Sequence, residues 1–94
     1  MILIALLMLI SGASAKLPVA GDYVAVRAVD GWSYYGKVVG IEDGFLDIDV
    51  ETWREVGSSW RNYAAPKNMQ ISVAAITYME TIPPSLRSSY RAYD

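Results

Sequence analysis

The side chains able to do chemistry in this chain fall into two short groups. The first is acidic: Asp43, then Asp47, Asp49 and Glu51 alternating with Leu46, Ile48 and Val50. Period-2 alternation puts the carboxylates at 47, 49 and 51 on one face of a strand and the aliphatic residues on the other. Such a row makes an acidic outer surface and holds a cation weakly at best, while Asp43, before Gly44, reads as a turn residue. The second group is Trp53, Arg54, Trp60 and Arg61, with Tyr63 beside them. Aromatic faces and guanidinium planes are what single-stranded bases stack on. The same residues flank a hairpin tip at Gly57-Ser58-Ser59, and two Trp there also suit a cross-strand pair that covers the mouth of a small barrel, the commoner use.

What the chain lacks narrows the chemistry further. With no His and no Cys, it has no thiol nucleophile, no thiolate or imidazole zinc site, no disulfide and no imidazole acid–base pair. The expectation is a protein that is not an enzyme, with no cofactor, no metal and no small-molecule substrate in evidence. The formal net charge is −2. A protein that wraps phosphates is usually basic, so contact with RNA or single-stranded DNA has to come from a local patch.

The elements that position these groups are centred on Gly31 to Val50. Asp30-Gly31 and Asp43-Gly44 are turn pairs one strand apart, each opening a run rich in aromatic and β-branched residues. Tyr34, Val38 and Ile41 are the core candidates between them, and Gly36 and Gly40 mark sharp bends or bulges. Ahead of this spine, Tyr23 to Asp30 reads as a strand apolar on both faces, which calls for cover on both sides, by a neighbouring subunit or by the N-terminal segment. After the hairpin, Pro66-Lys67-Asn68 reads as a second turn, Met69 to Ile82 as two short strands, and Pro83-Pro84 as the end of the sheet. The tail carries Leu86, Tyr90 and Tyr93 at helical spacing, giving one or two helical turns or a disordered end.

The 94 residues suffice for one small core. Three parts are expected: an apolar N-terminal segment with its linker (1–21), the β domain (22–82) and a C-terminal tail (83–94). Residues 1–15 combine an apolar block with Ala13-Ser14-Ala15 before Lys16. This fits a cleaved secretory signal, a helical arm packed on a partner or, least well, a membrane anchor, since about 20 apolar residues are needed to span a bilayer. The compartment follows from that choice: secreted or periplasmic with a cleaved signal, cytoplasmic with a structural arm.

The pattern from Asp22 to Ile82 resembles the Sm/LSm-like family of SH3-like small barrels. Val24, Val26, Gly31, Tyr34, Gly36, Val38, Asp43, Leu46, Ile48 and Val50 follow its first motif, and Ile71 to Met79 is similar to its second. The resemblance implies an all-β fold, a five-stranded, strongly bent antiparallel barrel, here with an apolar N-terminal helical segment. It also implies a homo-oligomeric ring, with Val29, Val39 and Tyr78 at the interface. RNA or single-stranded DNA would lie at a pore lined by Gly44, Phe45, Asp47 and Ser72, or at the outer Trp53, Arg54, Trp60 and Arg61 hairpin. Three departures point to a divergent branch, of the kind found in phages and metagenomes. One extra residue separates Gly36 from Asp43, which a bulge near Gly40 would absorb. The family's RNA-contacting Asn falls on Asp47, and its Arg-Gly pair falls on Ser72-Val73. The second reading is a structural or interaction module, exported or membrane-associated, with no nucleic-acid ligand.

Overall fold

The computed structural model describes residues 17–90. They form one antiparallel five-stranded sheet: β1 (Tyr23–Ala28), β2 (Ser33–Glu42), β3 (Phe45–Arg54), β4 (Arg61–Ser72) and β5 (Ile76–Thr81), ordered β4-β3-β2-β1-β5. A 3₁₀ turn, Val73–Ala75, links β4 to β5, and a second 3₁₀ segment, Pro84–Tyr90, follows β5. The all-β expectation holds, with β4 and β5 as the two edges of the sheet. The expected N-terminal helical segment, residues 1–15, lies outside the described residues, as does Tyr93.

Both turn pairs do what their residue types predict. Asp43 and Gly44 have φ of 53° and 81°, and Glu42 pairs with Phe45 across them. Two consecutive positive φ values are those of a type I′ turn, whose twist matches the flanking strands. At the other turn the Trp32 amide donates to Asp30 Oδ1 at 3.0 Å, closing an Asx turn.

One face of the sheet carries the main core: Val24, Val26, Val38, Leu46, Ile48, Val50, Ile76 and Met79. Bulges keep it continuous. Val38 pairs with Ile48 and Gly40 with Asp47, so Val39 is the extra residue on β2. That one-residue insertion restores Ile41 to the core face, as the spacing between Gly36 and Asp43 requires. A second irregularity sits at Glu51: Val50 pairs with Gly36 but Thr52 with Tyr35. Past it the alternation of β3 is reversed, so Thr52 faces away from the main core.

One expectation is corrected here. Pro66-Lys67-Asn68 is not a turn but part of β4. Val50 pairs with Lys67 and Thr52 with Asn62, so residues 63–66 bulge opposite Glu51 and Pro66 has no ladder donor to supply there. On the far face of β1, Ala25 is buried within the chain itself. Ala25, Tyr35 and Ile82 form a second, smaller core, with Tyr23, Trp60 and Tyr90 packed against it. The C-terminal 3₁₀ segment therefore supplies the cover, anchored where Thr52 Oγ1 donates to the Tyr90 carbonyl at 2.8 Å.

Candidate functional site

The four residues of the predicted pore lie near one another at the Asp43-Gly44 end of the sheet. Phe45 pairs with Ser72, and the Val73 amide donates to the Gly44 carbonyl at 2.9 Å. Asp47, two residues along β3, projects from the face opposite Leu46 and Ile48 and pairs with Gln70. Its Oδ1 accepts from Asn68 Nδ2 at 2.6 Å, and the same amide donates to Asp49 Oδ1 at 3.0 Å. A neutral donor thus holds two carboxylates side by side. Asn68 has this role because it lies on β4 opposite Asp49, and reading it as a turn residue hid it.

The hairpin quartet, by contrast, is divided between the two faces. The register partner of Trp53 on β4 is Arg61, not Trp60. Trp53 stacks on Trp32 at 5.0 Å between centroids and tilts against Tyr63 at 6.2 Å. The Arg61 guanidinium lies 5.6 Å from the Trp53 ring, and Lys67 Nζ lies 5.7 Å from Tyr63. Trp60 turns the other way. It meets Tyr90 edge-on at 5.6 Å, and the Arg54 guanidinium lies 4.8 Å above it. The reversal of alternation at Glu51 causes this split, and the expected Trp53–Trp60 pair is replaced by two separate clusters. Each is an aromatic surface with a cation over it, a geometry worth about 0.5–2 kcal/mol per contact.

Of the predicted interface residues, Val29 and Tyr78 are 68% and 53% exposed and lie by the β5 edge. The Val29 amide donates to the Ala75 carbonyl at 2.8 Å, and Tyr78 pairs with Arg27 on β1. Val39 is also exposed, but as the bulge of β2 it sits mid-sheet, away from both edges. Phe45, 45% exposed next to the end of β4, is the apolar residue at the opposite edge.

Sequence reasoning missed a pocket of about 200 Å³ on the outer face of the sheet. Its floor follows one cross-strand row, Tyr78–Arg27–Ser33–Arg54, running from β5 to β3. Trp60 and Tyr90 wall it, and Glu80 stands at its β5 side. The Tyr90 hydroxyl donates to Glu80 Oε1 at 3.3 Å. Burial first, then the charge of Glu80 and a hydrogen bond to it, raises both the Tyr78 and Tyr90 phenols above their ordinary value. Both hydroxyls therefore stay protonated at neutral pH and remain donors to that carboxylate. The sequence signal was Arg27, the lone cation of an otherwise apolar strand. No protein-family model matches the chain, and no curated protein matches it.

Proposed function

We propose that the chain is a divergent Sm-like small barrel that assembles with copies of itself into a ring through the edge strands β4 and β5. The carrying observation is the strand order, which leaves β4, of 12 residues, and β5, of 6, as the two edges of one antiparallel sheet. Unpaired edges are templates for another strand, and head-to-tail pairing that closes on itself abolishes them. Bulges at Val39, Glu51 and residues 63–66 bend a strand and increase its local twist, which supports the barrel. Tyr78 and Val29 at one edge and Phe45 near the other supply apolar contact for the joint.

RNA or single-stranded DNA is the candidate ligand of that ring, through the Gly44, Phe45, Asp47 and Ser72 end or the Trp53 and Arg61 surface. A specific observation favours the second reading, a non-enzymatic interaction module without nucleic acid. The Asp47 and Asp49 carboxylates are held together by Asn68, so a polyanion approaching them meets like charge.

Size-exclusion chromatography with light scattering tests the assembly. The wild type should elute as a discrete oligomer at micromolar concentration and Val29→Glu as a smaller species. A monomeric wild type refutes the ring.

A further inference from the structure

We propose that the outer-face pocket is a binding site for a carboxylate carried on a flat aromatic body. It is a different site from the Gly44–Ser72 end and the Trp53 and Arg61 surface, and it shares only Tyr78 with the proposed β5 joint. The first argument is charge. A carboxylate directly opposite an arginine on a sheet face is stabilising, yet the row through Tyr78, Arg27, Ser33 and Arg54 contains no acid, and Glu80 stands diagonal to Arg27, opposite Ala25. Among the described residues, neither guanidinium is in an ion pair. Two cations flank one small residue with their backbones two strand spacings apart, roughly 10 Å, in a chain of net charge −2. An anion seated over Ser33 reaches both.

The second argument is preorganisation. The Arg54 guanidinium carbon lies 4.8 Å from the centre of the Trp60 ring, a contact that restrains the side chain while its N–H groups can still meet a carboxylate. Trp60 is in turn set by Tyr90 at an interplanar angle of 68°, and Tyr90 by its stack on Tyr35 at 5.1 Å. The aromatic wall is thus built before a ligand arrives, so little ordering entropy is lost on binding.

Size and polarity select the ligand class. An apolar cavity of about 150 Å³ accepts benzene, so a pocket of about 200 Å³ has room for such a ring plus one carboxylate. A bare inorganic anion would leave the aromatic wall unfilled. Glu80 repels a carboxylate on the β5 side, so the ligand is oriented with its charge toward Arg27 and Arg54. The same chemistry comes from a free aromatic acid or from a polypeptide ending in an aromatic residue.

Proton–nitrogen correlation spectra of the full chain, titrated with benzoate, benzamide, glycyl-phenylalanine and its amide, test this. Benzoate should shift the signals of Arg27, Ser33, Arg54 and the Trp60 indole. Benzamide should bind at least about tenfold more weakly, the value of one charge-assisted bond. Arg27→Gln, which leaves the aromatic wall intact, should weaken benzoate by about the same factor, and Glu80→Gln should strengthen it. Binding of glycyl-phenylalanine but not its amide assigns the site to chain ends, and binding of benzoate alone assigns it to a free acid. Equal response to benzoate and benzamide, indifference to Arg27→Gln, or no shift in the pocket at millimolar ligand overturns the proposal.

Discussion

Gly36 shows how a single side-chain hydrogen governs the approach of two strands. A Cβ built on it would lie 2.1 Å from the Asp49 carbonyl oxygen and 2.8 Å from Val50 Cα. Both are backbone atoms of β3, so neither can rotate away as a side chain would. Gly36→Ala should therefore cost at least about 3 kcal/mol, at or beyond the upper end for overpacking. Gly40→Ala is the control. Its Cβ would meet nothing within 4 Å, and replacing Gly in an unstrained site is neutral or stabilising by about 0.4–1 kcal/mol. Urea denaturation of the two variants gives the comparison, and equal midpoints would disprove the close-approach account. The sequence marked both glycines as places of bending, but only the packing distinguishes them. A bulge needs no glycine when its extra residue, Val39, points to solvent.

At the scale of elements, β3 was legible where its alternation is regular and illegible where it reverses. Leu46, Ile48 and Val50 announced the core face directly. The irregularity at Glu51 then exchanges the faces, and no local residue type signals it, because Glu is ordinary on an outer strand face. The consequence was the grouping of Trp53 with Trp60, which the fold separates. The bend of β4 at Pro66 was misread for a related reason: a proline forbids a ladder bond wherever it stands, and an edge-strand bulge meets that condition as well as a turn does.

Helical turns were one of two readings of the tail, the other being a disordered end, and neither carried its docking, which depends on Thr52 being 1% exposed beneath it. Thr52→Val keeps the shape and removes the donor to the Tyr90 carbonyl. The expected loss is about 1 kcal/mol, the net value of one hydrogen bond. Amide exchange should accelerate over residues 85–90 while β2 and β3 keep their protection. A loss of protection spread evenly over the sheet would show that the segment is not a separately anchored element.

For the molecule as a whole, the charge balance sets what a polyanion can gain. A net charge of −2 provides no long-range attraction, and the Asp47 and Asp49 carboxylates, side by side on Asn68, repel a polyanion. Fluorescence anisotropy with labelled oligouridine at physiological salt should give a dissociation constant weaker than about 10⁻⁴ M, the edge of non-specific binding. Asp47→Asn combined with Ser72→Arg should bring binding into range, by replacing a carboxylate with a neutral amide and adding a stacking cation. Tight, salt-sensitive binding by the wild type would instead place nucleic acid on the Trp32, Trp53 and Arg61 surface.

The pairing of β1 with β5 joins Arg27 to Tyr78, residues about fifty positions apart in the chain, whereas β2, β3 and β4 each pair with the strand just before them. During synthesis the meander from β1 to β4 can assemble as it emerges, with each new strand finding its partner already in place. Throughout that interval β1 is an open edge, and Val24 and Val26 lack the cover that Ile76 and Met79 later provide. The nascent chain is most exposed to mispairing in the interval before β5 emerges to pair with β1.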